Sequence, residues 1–346
     1  MRINQLFTIF LMSLVSFQML GCIQISKLCP YAQELIEPGG ITLFVGGTGP
    51  GNYSTIQDAI NNATDGDTIF VFSGNYTIPE DVGIYSRIWL MGENTASVNV
   101  ENRNTKKTIY IFANQVMIRN FTFQNICISN SGNNNVSVID NDFLIEKFNH
   151  EGDDGVIDSN GGSYNVFKGN TISLGNRPEK FINPYLGISL IDEYHFTISH
   201  NFVYNTYVGI DIISSKSGCI SKNTMTKNEG GLEIYSSFTN YDTHQIYKNN
   251  FLNSSVVHAT VDYGVDTSFG EFIWNILTHN VPSQNFTNNY WDDHHSSQPR
   301  QIYARYHINP FEMIGIYVIS IDVLMPKLEV DPHPVSSPFL TNIKGG

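Results

Sequence analysis

The 346-residue chain carries 19 Lys and Arg against 32 Asp and Glu, a formal net charge of −13. That balance excludes the basic patches that nucleic acid or an anionic membrane surface requires, and leaves a metal ion, another cation or a neutral sugar as partner. Asn is abundant while Ala and Leu are sparse, so helix formers are scarce and turn formers plentiful, which favours an all-β fold.

In chain order, residues 1–22 read as a signal peptide: Arg2 precedes an apolar run from Leu6 to Leu20 that is short for a membrane span. Export follows, to the cell surface, the periplasm or the exterior. Leu20-Gly21-Cys22 resembles a lipoprotein lipobox, departing from it at Met19 and Leu20, so cleavage, lipidation of Cys22 and an uncleaved anchor all remain open. The membrane enters only through this segment. Residues 23–40 read as a linker. Cys22 and Cys29 lie in or beside the signal, while Cys127 and Cys219 sit several coils apart at different phases of the repeat below, so free thiols are expected there.

Residues 41–290 hold the organised region. Ser54 and Gln57 have capping-box spacing, and Ile56, Ala59 and Ile60 make the apolar stripe of a short helix that plugs the first coil. Asp65-Gly66-Asp67 then turns the chain into a strand, Thr68–Phe72. Beyond it a repeat emerges. "GISL" at Gly187, "GIDI" at Gly209 and "GLEI" at Gly231 recur every 22 residues, and "ISHNFV", "ISKNTM" and "IYKNNF" place Asn201, Asn223 and Asn249 at steps of 22 and 26. Weaker copies put Asn141 and Asn170 in the same phase, and Gly155 opens a degraded copy of the glycine motif. No repeat segment keeps a 3.6-residue apolar pattern for ten residues, and the Leu comb of leucine-rich repeats is absent. The pattern predicts an all-β, parallel β-helix with coils of about 22 residues, Ile210 and Ile212 facing in, Asp211 facing out, and the asparagines stacked at one corner where the chain turns left-handed. Residues 291–346 form the closing cap and tail, with Tyr290 and Trp291 sealing the last coil.

Equal phase in stacked coils means equal place. Two residues past each glycine lies an outward column of Ile157, Ser189, Asp211 and Glu233; two residues before lies Asp153, Tyr185, Tyr207 and Glu229. Together they predict a patch of acids and aromatics, with the long loops Ile145–Asp154 and Ser173–Tyr185 walling it. Asp153, Asp154, Asp211 and Glu233 are the candidate catalytic carboxylates, since paired acids suit glycoside hydrolysis. Tyr185, Tyr207 and Glu229, with His150 and Glu151, are candidate ligand contacts, and the cluster Asn149–Gly155 has oxygen donors for Ca²⁺. Asp192–His195 reads as a surface turn.

Phe44–Thr77 resembles the opening segment of pectin-lyase-like, right-handed parallel β-helix proteins, most similar to the NosD-like, carbohydrate-binding-and-sugar-hydrolase (CASH) repeat branch. Ile88–Asn94 matches that family's second strand, Asn288–His294 its tryptophan motif, and Val330–Phe339 its tail; the resemblance covers roughly residues 41–340. It implies the fold and a choice of activities, because members include polysaccharide lyases and hydrolases, the periplasmic copper-accessory protein of nitrous oxide reduction, and surface proteins. Asp153-Asp154 resembles one element of polygalacturonase-type hydrolases, whose Asn-Thr-Asp, Gly-His-Gly and Arg-x-Lys elements are absent here. No Arg is placed on the face as a lyase base. His294, His295, His307 and His333, near Met313 and Met325, would be the copper ligands of a copper-accessory protein.

The leading expectation is an exported protein that binds polysaccharide or another glycan on its acid/tyrosine face. A polysaccharide lyase or glycoside hydrolase is the alternative, and a copper-accessory or structural envelope protein a third.

Overall fold

The computed structural model describes residues 39–95, 98–101, 106–146, 155–175, 185–237, 242–265, 284–293, 300–308, 321–324, 329–331 and 334–335. The signal segment 1–22 and all of the linker but its last two residues lie outside the described residues. Each coil contributes one short strand to each of three sheets. Among the described residues the first has ten strands, from Thr42–Val45 to Asn285–Thr287. The second has nine, from Gly74–Thr77 to Tyr290–Trp291. The third has eleven, from Val82–Ile84 to Ile321–Leu324. Neighbours pair in parallel until the last strand of the third sheet. The chain is a right-handed parallel β-helix.

The register turns the sequence pattern into a core. In the first sheet Ile69, Leu90, Ile118, Val138, Phe167, Ile198, Ile220, Ile246 and Phe286 fall on one line. In the second, Val100, Phe123, Phe143, Ile172, Val203, Met225, Phe251 and Trp291 do the same. All of these are buried. Each such side chain contributes about 1.5–3 kcal/mol by leaving water, so the strands hold although most are only three or four residues long. Ile210 and Ile212 are fully buried, as the repeat predicts.

A column of asparagines runs along the corner between the first and second sheets: Asn141, Asn170, Asn201, Asn223, Asn249 and Asn289, all buried. At each rung the backbone N–H and the Nδ2 amide both donate to Oδ1 of the next asparagine, at 2.9–3.2 Å. The second Nδ2 proton goes to a main-chain carbonyl, as from Asn223 to Ile198 at 2.9 Å. Phe121 N–H starts the ladder on Asn141 Oδ1, and Asp331 Oδ2 ends it by accepting from Asn289 N–H and Trp291 Nε1. The left-handed turn is made one residue earlier than expected. Asn120, Asp140, His200, Lys222, Lys248 and Asn288 have φ between 53° and 64°, with Gly169 at 68° in the same column. The reason is division of labour: the ladder asparagine must aim its amide inward, so its neighbour bends the chain.

The ends are closed differently from each other. The helix Ile56–Asn62 buries Ile56, Ala59 and Ile60 against the first two strands of the first sheet. Its N-cap is Thr55 rather than Ser54: Thr55 Oγ1 accepts from Asp58 N–H and donates to Asp58 Oδ2. The extended backbone at Thr55 fits a cap, which moves the box by one residue. Asp67 then ties the turn by accepting from Thr64 N–H, Thr64 Oγ1 and Ile41 N–H. At the other end Arg300–Ile308 continues the parallel stack, and Ile321–Leu324 and Glu329–Asp331 add to it antiparallel. Trp291, in the last strand of the second sheet, lies flat on Phe251, centroids 4.2 Å apart at 7°. Cys127 is a buried free thiol. Cys219 is disulfide-bonded, against the expectation of a free thiol there.

Replacing one ladder asparagine tests this account. Asn223→Ala removes the acceptor of Asn201 N–H and Nδ2 at a fully buried position, and the loss is expected to cost about 3–5 kcal/mol in urea unfolding.

Candidate functional site

The outward face of the third sheet carries the acids. Its register places Tyr110, Ser129, Asp158, Ser189, Asp211, Glu233 and Thr260 in one column. Ile157 does not belong to it. Gly155 pairs with Leu186, one residue out of the phase of Gly187, so Ile157 aligns with Ile188 and is buried while Asp158 faces out. A one-residue slip exchanges the two faces of a strand. Asp211 and Glu233 are directly paired, their Cα atoms one strand spacing apart, about 4.8 Å.

Aromatic side chains flank the acids. Tyr207, four residues before Asp211, is 41% exposed, and Glu229 beside Gly230 is half-buried. On the other side a second outward column holds Ile191, Ile213, Tyr235 and Asp262. Tyr235 is also 41% exposed and was not anticipated, although it stands two residues after Glu233, the period of a strand side. Tyr185 is not on this surface: it is buried, with the Lys106 ammonium 5.6 Å from its ring centroid. His150, Glu151, Asp153 and Asp154 lie outside the described residues, as do the loop tips expected to wall the face and His294, His295, His333, Met313 and Met325. Of His307 only the backbone is described, in the strand Arg300–Ile308.

The Asp192–His195 turn is only partly a surface feature. Asp192 and Tyr194 are exposed, but Glu193 is fully buried. Its carboxylate accepts from Ser159 Oγ at 2.5 Å, Gly162 N–H at 3.1 Å and Asn165 Nδ2 at 3.0 Å. Burial raises its pKa, and those three hydrogen bonds oppose the rise. Glu193 thus joins coils from inside and offers nothing to a ligand.

A second cluster escaped the sequence reading. His258 Nε2 is 2.7 Å from Asp292 Oδ1 and 3.5 Å from Asp293 Oδ1. His258 is buried against Trp291, while Asp292 and Asp293 line, with it, a cavity of about 550 Å³ that Asn253, Ser254, Val256 and Val257 complete. The residues belong to two different coils, 34 positions apart. The signal was present in the repeat, because His258 occupies the phase that Gly187, Gly209 and Gly231 hold in the preceding coils.

No family model matches this sequence, and no curated protein does either. Several solved structures are similar in shape, among them the following three. The catalytic domain of a GH87 alpha-1,3-glucanase in complex with tetrasaccharides matches with a TM-score of 0.39 and 13% identity, over 68% of this chain and 50% of that one. An alginate lyase from Paenibacillus sp. str. FPU-7 gives 0.36 and 12%, over 64% and 93%, and the pectate lyase Pel9A gives 0.33 and 14%, over 72% and 74%. The chain spans about half the length of the glucanase domain.

The strip's electrostatics are unusual at one position. Burial, and then the neighbouring Glu233 carboxylate, push the Asp211 carboxyl up to about 7, against a lowering hydrogen bond from Ile212 N–H. Between the ordinary carboxylate range and pH 7 the native chain therefore keeps a proton that the unfolded chain releases, so this group makes stability fall as pH rises through that window. His244 acts oppositely. It is fully buried, its Nδ1 accepts Gly218 N–H at 3.0 Å, and burial lowers its pKa to about 4, so stability is lost as pH falls from 6.5 towards 4. Comparing a variant with the parent isolates Asp211. Asp211→Asn is expected to match the parent in urea unfolding at pH 4 and to exceed it at pH 8.5 by on the order of 3 kcal/mol.

Proposed function

We propose that the protein is exported and binds a carbohydrate chain on the outer face of its third sheet. The observation that carries this reading is the column Asp158, Asp211 and Glu233 lying between the exposed rings of Tyr207 and Tyr235. Tyrosine rings offer an apolar face to the C–H side of a sugar and a hydroxyl at their tip. Carboxylates accept hydrogen bonds from sugar hydroxyls. The acids favour a neutral or amino-bearing glycan over a polymer of uronic acids, whose charges they would repel. The N-terminal segment supports export, and a strip repeated once per strand suits a ligand that itself repeats.

A second reading rests on Asp211. A carboxylic acid that holds its proton near neutral pH, one strand from a second carboxyl at Glu233, is the arrangement of a proton donor and its partner in glycoside hydrolysis.

Glycan-array binding of the full chain separates these readings. Tyr207→Ala and Tyr235→Ala should each weaken retention about tenfold, and a wild-type protein that retains no glycan would overturn the proposal. If the strip also cleaves, the bound glycan will yield new reducing ends, and Glu233→Gln will abolish them; binding without such ends leaves the first reading alone.

A further inference from the structure

We propose that His258, Asp292 and Asp293 form a binding site for one divalent transition-metal ion of the zinc type. One nitrogen and two carboxylate oxygens, one from each residue, all lie within 4.8 Å of one another. Zinc bonds of about 2.0–2.2 Å to such atoms place ligands roughly 3–3.5 Å apart, so closure around an ion needs movements of an ångström or less. The donor set selects the ion: calcium and magnesium take oxygen ligands, whereas imidazole with carboxylates suits zinc and its neighbours.

The surroundings favour a cation. Two carboxylates face one imidazole, and among the described residues lining the cavity there is no Lys or Arg. His258 is 92% buried, and its Nε2 is directed at both carboxylates. The Ser254 hydroxyl, on the wall of the same cavity, is buried with no hydrogen-bond partner. Buried polar atoms left in that state call for a bound water or ion. Asn253 N–H donates to Asp292 Oδ2, which orients one ligand from behind. Coordination uses the Nε2 lone pair, so the ring of the bound form would carry its proton on Nδ1. With three protein ligands, at least one coordination position would open into the cavity, where a water or a small anionic ligand fits.

Steric exclusion explains why the imidazole sits where it does. A Cβ at Gly187, Gly209 or Gly231 would meet the carbonyl oxygen of the next coil at 2.3–2.6 Å. His258 follows in this phase, but the next strand pairs only from Thr260 onward. A side chain therefore becomes possible at His258, and Tyr290–Trp291 brings the two acids beside it.

The test is metal uptake by the full chain after chelator treatment and dialysis against zinc chloride, read by elemental analysis and by thermal unfolding. One zinc per chain and a raised Tm are expected, with calcium chloride producing neither. Asp293→Asn and His258→Gln should each weaken zinc at least tenfold with circular dichroism unchanged. If His258→Gln does not fold, the half-exposed Asp293 position decides. The double variant His294→Ala/His295→Ala should keep its zinc. Absence of stoichiometric uptake, uptake unchanged in Asp293→Asn, or loss in the double variant would each overturn the proposal.

Discussion

The whole molecule depends on coils pairing in register at a fixed spacing. Parallel pairing puts the same phase of each coil on one line, so every environment recurs once per strand separation. Apolar lines fill the interior. A polar line inside the rod is tolerable only if each member satisfies the next, and the asparagine amide, with donors and an acceptor on one short side chain, does that without water. The cost of the same rule is visible outside, where it forces Asp211 and Glu233 together although like charges directly opposite are unfavourable.

That tension gives the third sheet its character. A surface selected for solubility alone would alternate its charges along such a column. Here Asp158, Asp211 and Glu233 share one, partly desolvated, between two tyrosines that leave their rings in water. Burial first, and the Glu233 carboxylate second, raise the Asp211 carboxyl, so below pH 7 it offers a hydrogen-bond donor where sequence alone indicates only an acceptor.

Much of this was legible in the residues. The 22-residue step placed Ser189, Asp211 and Glu233 in one column and buried Ile210 and Ile212, because a strict period leaves the register no freedom. Legibility failed where the period did. Gly155 lies one residue out of phase with Gly187, so Asp158 was passed over for Ile157. Glu193 looked like a turn residue because its partners Ser159, Gly162 and Asn165 come from the preceding coil, out of reach of any local pattern. Tyr185 was assigned outward by phase, but it precedes the strand and packs inward. His258 and the acids beside it are joined only by the stacking of two coils whose spacing in sequence is irregular.

The glycine column has a further consequence. In a rod of this kind, coils can be gained or lost by duplication without disturbing the corner ladder. A coil added before Gly231 would lengthen the acid strip and supply one more glycine, leaving His258 in place. A coil stacked squarely on His258 would bring a carbonyl against its Cβ and expel the imidazole. The strip is therefore free to vary in length over evolution, whereas the histidine and its two acids belong to the terminus and can occur only once per chain.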